Sequence, residues 1–174
     1  MPTRIRLLDT SDAEALAAQL SQDRARLRPY EPTRPESWFT VDGQRQAARA
    51  KLEAWEAGTG APFVILDDAE EVVGAMYLND VVRGAFQNAH PGYWLAGHAT
   101  GRGYASQALG EAAGFAFHVL GLHRLQAATL LDNVASQRVL AACGFTQVGV
   151  APGYLQIDGA WRDHRLYQLL APGG

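Results

Sequence analysis

At 174 residues, with 48% hydrophobic and 19% charged residues, the chain has the composition of one globular domain, 1–174, with a sizeable core. A net charge of −3 gives no reason to expect direct nucleic-acid or membrane binding, and no run reaches the ~18 apolar residues of a membrane span or follows a signal-peptide pattern. The single cysteine, Cys143, excludes an intramolecular disulfide, fits a cytoplasmic protein, and reads as a small buried residue among Val139, Leu140, Ala142 and Phe145.

Ile5 to Leu8 reads as a first strand, followed by a helix capped by Thr10 or Ser11 with Ala15, Leu16, Ala18 and Leu20 at helical spacing. Pro29, Pro32 and Pro35 break regular structure across Arg28 to Ser37, and Asp42 to Ala57 is helical again. Strands are expected at Phe63 to Leu66, Val72 to Val82 and Phe86 to Ala96, the last interrupted by Pro91, which marks an edge or a bulge. A helix from Ser106 to Leu120 follows, then a strand His123 to Leu130 and a helix Asn133 to Cys143 ended by Gly144. Strands 145–155 and 161–170 close the chain. This order predicts an α+β fold: a central, mostly antiparallel sheet of about seven strands with helices on both faces.

Ala99 to Ser106 (Ala-Thr-Gly-Arg-Gly-Tyr-Ala-Ser) lies between the strand ending Tyr93-Trp94-Leu95-Ala96 and that helix. Glycines at such a junction let the backbone take unusual dihedrals beside a helix N-terminus, whose free N–H groups and dipole favour a phosphate. No Lys follows as a P-loop requires, and no acidic residue stands near position 120 as a Rossmann site requires. The segment resembles the acyl-coenzyme A loop of the GNAT acetyltransferases, Gln/Arg-x-x-Gly-x-Gly/Ala. Gly103 and Ala105 take its last two positions, and Thr100 stands where Gln or Arg is usual. The resemblance implies a twisted GNAT sheet and coenzyme contacts from Trp94, Leu95, Ala96, Thr100, Gly101, Arg102, Gly103, Tyr104, Ala105 and Ser106.

Asn133 to Phe145 resembles Asn-x-x-Ser-x-x-Val-Leu-x-x-x-Gly-Phe of the branch that acetylates ribosomal-protein N-termini. One turn apart, Asn133 and Ser136 share a helix face. The resemblance implies that Asn133 contacts the pantetheine arm and Ser136 the coenzyme sulfur; an N-cap Asn and a neutral helix Ser remain the plain alternative. Arg28 to Pro32, Val81 to Phe86 and Tyr154 to His164 extend the likeness to the RimJ type, with RimL its near relative.

The implied reaction transfers acetyl from acetyl-coenzyme A directly to an amine, with no metal. The expected acceptor is the N-terminal α-amine of a peptide or protein, such as a ribosomal protein. An α-amine of pKa about 8 is partly neutral at pH 7, so a modest base suffices and positioning carries much of the acceleration. Ser136 is the candidate to protonate the thiolate; Leu140 stands where many relatives carry Tyr. Backbone N–H groups of Trp94 to Gly97 are expected at the carbonyl oxygen. His90 stands where relatives often carry a basic Glu, and its alternative is a solvent-facing strand residue. Asp158 and Asp163 are acidic candidates, although Asp158 before Gly159 also reads as a turn. Tyr30, Glu31, Trp38 and Tyr93 are expected to bind the acceptor. Trp55, Trp94 and Trp161 read as core or rim aromatics. Acetylation of a small amine and a non-catalytic coenzyme A sensor stand as alternatives, and a homodimer is left open.

Overall fold

The computed structural model describes residues 4–173. The elements run β1 (Ile5–Leu7), α1 (Ala13–Gln22), α2 (Arg24–Leu27), α3 (Val41–Glu56), β2 (Ala61–Leu66), β3 (Val72–Val82), β4 (Asn88–Leu95), α4 (Tyr104–His118), β5 (Arg124–Leu130), α5 (Val134–Ala142), β6 (Thr146–Ile157) and β7 (Ala160–Leu170). The seven strands form one sheet in the order β1-β2-β3-β4-β5-β7-β6. Every pairing is antiparallel except β4–β5. The α+β sheet expected from the sequence is therefore present.

Strand alternation sorts the core into two layers. On one face Leu16 of α1 and Ala48 of α3 pack with Val64, Leu66 and Ala75. On the other, Phe63, Ile65, Met76 and Leu78 meet α4. The buried stripe of α4 is Tyr104, Ala105, Ala108, Leu109, Ala112, Ala113 and Ala116. Its alanines keep the inner side small, so the helix lies close to the sheet. Because α4 is the crossover between the parallel strands β4 and β5, its N-terminus lies beside the end of β4.

Several boundaries differ from the sequence expectation. Asp9, not Thr10 or Ser11, caps the turn leading into α1: its carboxylate accepts from Ser11 N–H at 2.8 Å, while the Asp12 carboxylate accepts from Asp9 N–H at 2.8 Å. The extended backbone of Asp9 (φ −123°) is what a cap needs. Strand β4 begins at Asn88 rather than Phe86, because Gly84 and Gln87 take positive φ. The 28–39 segment is not plain loop: short 3-10 turns form at Arg28–Tyr30 and Glu36–Phe39, the first accommodating Pro29 near its start. Trp161 is neither core nor rim, being 68% exposed, whereas Trp55 and Trp94 pack against the core.

Candidate active site

Strands β4 and β5 pair only at Asn88–Arg124 and Ala89–Leu125, then separate. Successive peptide groups of a strand point to opposite edges. Ala96 N–H goes to Val73 on the β3 side at 2.8 Å, and Gln87 C=O accepts from His123 and Arg124 on the β5 side. The peptide groups of Pro91, Tyr93 and Leu95 therefore face the gap. Pro91 lacks an N–H where β5 is no longer there to receive one, so a central strand tolerates it. The proline marks this local edge. Within Trp94 to Gly97, Ala96 N–H is used by Val73 and Gly97 N–H by the Asp23 carboxylate. The Leu95 N–H is the one directed into the gap.

At the gap's end lies the glycine turn. Gly101 and Gly103 have φ of +76° and +82°, and a Cβ at either would meet nothing closer than Gln107 at 3.7 Å. Conformation, rather than space, demands glycine there. The helix starts at Tyr104, two residues earlier than the sequence suggested, because left-handed Gly103 serves as its cap. No side chain caps α4, whereas Thr40 caps α3 and Asn133 caps α5. The first N–H groups of α4 are thus left for an external acceptor.

A cleft of about 430 Å³ joins this turn to α5. It is lined by Trp94, Leu95, Thr100, Gly101, Gly103, Tyr104, Ala105, Ser106, Asn133 and Ser136, all singled out in the sequence. Two other predicted members are placed elsewhere. Ala96 is fully buried, and Arg102 points to Asp68 at 3.4 Å. The Tyr104 hydroxyl also goes to Asp68, at 2.8 Å, so its side chain fixes the helix start to the β2–β3 turn. Thr100 donates to Gly97 C=O at 2.8 Å, closing its own turn. Asn133 Oδ1 accepts from Ser136 N–H at 3.1 Å, so the capping role is present within the cleft.

Ser136 Oγ lies 2.8 Å from the Tyr93 hydroxyl. Burial pushes the Tyr93 phenol up to about 12, with the Ser136 hydrogen bond pulling the other way. Cys143 Sγ lies 3.2 Å from Ser106 C=O, and burial pushes its thiol up as well. Being half-buried, it fits the packing reading.

On the opposite face a second cleft, of about 670 Å³, holds Tyr30, Glu31, Trp38 and Tyr93 together with Arg34, Lys51, Tyr77 and Asn79. Leu27, Tyr93 and Trp94 line both clefts, so the two meet at the point where the sheet parts. His90 lines neither; it sits across from Asn79 with its Nδ1 buried and unpaired. Asp158 occupies the two-residue Asp158–Gly159 turn at φ +45°, its carboxylate 2.7 Å from Arg28 Nε and its N–H on Glu31 C=O at 3.0 Å. It braces the 28–31 segment. Asp163 accepts from Gly153 N–H at 2.8 Å, inside the β6–β7 hairpin. His98 is exposed on the turn after β4.

The sequence reading missed Asp23, Arg26 and Arg138. Arg138 lines the smaller cleft beside Ser136. Arg26 lines it too, donates to Leu95 C=O and pairs with Asp23 at 3.0 Å. Asp23 and Arg26 thus take up the two main-chain groups, Gly97 N–H and Leu95 C=O, that the missing β5 leaves free. Burial opposes ionisation of Asp23, but the hydrogen bonds from Arg26 and Gly97 prevail and hold its carboxyl below the usual value. No motif spacing signals such contacts.

The acetyltransferase (GNAT) domain family model matches residues 3–146. The chain belongs to the GNAT acetyltransferases. It is 34% identical over 169 residues to the [ribosomal protein uS5]-alanine N-acetyltransferase of Escherichia coli (strain K12), covering 97% of this chain and 87% of that one. It is 32% identical to the probable N-acetyltransferase YjcK of Bacillus subtilis (strain 168), over 97% and 93% of the two chains. Mycobacterium smegmatis RimJ, solved in complex with CoA-disulfide, superposes with a TM-score of 0.92 at 33% identity, covering 96% of this chain and 81% of that one.

As a GNAT enzyme the protein is an acetyl-coenzyme A-dependent N-acetyltransferase. The residues present fit the coenzyme: uncapped helix N–H groups suit a diphosphate, and unpaired strand amides suit an amide-bearing arm. Among the described residues, no group of three or more His, Cys, Asp or Glu is placed to hold a metal ion. Among the same residues, no helix is long and apolar enough to cross a membrane.

Proposed function

We propose that the enzyme acetylates the N-terminal α-amine of a protein, of the ribosomal-protein kind, in the cytoplasm. The observation that carries this reading is the meeting of the two clefts at Tyr93, whose hydroxyl lies 2.8 Å from Ser136 Oγ in the smaller one. The larger cleft, of about 670 Å³, has room for a peptide end, with Glu31 to attract a cationic amine. The E. coli relative's name supports the same acceptor class.

Acetyl-coenzyme A supplies an acyl thioester. The Thr100–Ser106 turn holds the diphosphate, and the Tyr93 peptide group aligns the arm. Leu95 N–H donates to the acyl oxygen as negative charge grows there. The amine nitrogen forms the new bond to the acyl carbon, the carbon–sulfur bond breaks, and the electron pair stays on sulfur. Ser136 donates its proton to that sulfur and is resupplied by the Tyr93 hydroxyl, which takes a proton back from water before the next turnover. Tyr93, held protonated by burial, remains a donor throughout the neutral range. The amine's proton leaves through water. Asp158 acts from outside both clefts, fixing the acceptor loop through Arg28 and Glu31.

The test is purified enzyme with acetyl-coenzyme A, peptides beginning Ala or Ser, and a panel of small amines. Thiol release with peptides and acetylation at their first nitrogen are expected. Activity confined to free small amines would replace this reading with its small-amine alternative. Binding without thiol release for any acceptor would leave a sensor.

A further inference from the structure

Resting on the reading of the 670 Å³ cleft as the acceptor site, its charges say more about the acceptor. Three charged side chains line it, the acidic Glu31 and the basic Arg34 and Lys51. Glu31 and Arg34 face each other at 3.6 Å, and Arg34 stacks on the Trp38 ring at 4.1 Å. Lys51 is left over. Its Nζ contacts Asn79 Oδ1 at 2.6 Å and lies 4.4 Å from the Tyr77 ring centre. Among the described residues, no carboxylate comes within 4 Å of it. Burial pushes its ammonium below the usual lysine value; Asp80's field opposes this from a distance and Arg34's adds to it. A partly desolvated cation on a cleft wall, held by one amide and one aromatic face, gains most from a charged hydrogen-bond acceptor. The cleft thus offers a carboxylate for an amine and a separate ammonium for an anion.

We propose that Lys51 is a specificity residue: the enzyme prefers acceptors carrying an anionic group close to the reactive amine. In a peptide this is an acidic side chain at the second or third position; in a small molecule it is a carboxylate or similar group.

The test compares peptides beginning Ala-Glu, Ala-Gln and Ala-Lys, together with an amino acid and its carboxamide, on the wild-type enzyme and on Lys51→Gln and Lys51→Arg. A charge-assisted hydrogen bond corresponds to a preference of roughly ten- to hundredfold in kcat/KM for Ala-Glu over Ala-Gln. That ratio falls towards one in Lys51→Gln and is largely kept in Lys51→Arg. Being a ratio within one variant, it is insensitive to partial loss of folded enzyme. Equal use of the three peptides by wild type, or a preference that survives Lys51→Gln, overturns the proposal while leaving N-terminal acetylation standing. If peptides fail but small amines react, the peptide reading fails, and the amino acid against its carboxamide decides the charge preference. Failure with every acceptor removes both.

Discussion

At the scale of single residues the proposed chemistry rests on two hydroxyl groups 2.8 Å apart. Ser136→Ala removes the one placed nearest the coenzyme cleft. Loss of a positioned acid typically costs about 10²-fold or more, so kcat should fall by that order with little change in KM for acetyl-coenzyme A. Thiol-release kinetics measure both; an unchanged kcat, where chemistry limits it, would take Ser136 out of the reaction. Tyr93 supplies a pH prediction. A phenol raised to about 12 ionises later than the ordinary tyrosine near 10, so its donor form persists beyond the usual range. Spectroscopic titration comparing wild type with Tyr93→Phe should show one fewer tyrosine ionising late, not one fewer near pH 10. The place of Ser136 at the cleft was readable from the Asn133–Phe145 motif. Its partner was not, because Tyr93 and Ser136 are 43 residues apart and only the fold brings them together.

At the scale of elements, the parting of β4 from β5 decides what the neighbouring segments must do. The Thr100–Ser106 turn needs left-handed backbone at Gly103, where an L-residue costs about 1–2 kcal/mol and a β-branched one more. Gly103→Val should weaken acetyl-coenzyme A binding by tenfold or more in calorimetry; unaltered affinity would mean that the turn holds no phosphate. The Asp23–Arg26 latch carries a second prediction. Asp23→Ala leaves Gly97 N–H and Arg26 without their partner and should destabilise the protein by about 1 kcal/mol. Because the folded carboxyl is held below its ordinary value, the contribution is full above the unfolded value near 3.9 and disappears as pH falls through the folded one. Denaturant melts of wild type and variant should therefore differ by a constant amount from neutral pH to about pH 5 and converge in stronger acid. Pro91 signalled the parting in the sequence as an edge-like feature inside a strand. The latch left no such mark: Asp23 and Arg26 look like any charged pair near a helix end, and their targets are main-chain atoms more than 65 residues away.

At the scale of the molecule, the sheet separates two faces and the gap reconnects them. The number of strands, the helices on both faces and the glycine turn before α4 were legible because they depend on local periodicity and on glycines at a strand–helix junction. The division of labour among His90, Asp158 and the acceptor loop was not. Asp158 carries the residue type a base needs, yet the β6–β7 hairpin delivers it to Arg28. His90 keeps the strand position and shares the sheet face of its partner Asn79, which lines the acceptor cleft, yet its own side chain is not among that cleft's walls. The central claim is geometric: coenzyme and acceptor approach from opposite faces and react at Tyr93–Ser136. A crystal structure of the enzyme with coenzyme A and a peptide beginning Ala-Glu tests it most directly. The account predicts the coenzyme sulfur within hydrogen-bond reach of Ser136 Oγ and the peptide's amine entering past Glu31 and Trp38. A sulfur remote from Ser136, or an amine arriving from the α5 side, would contradict it.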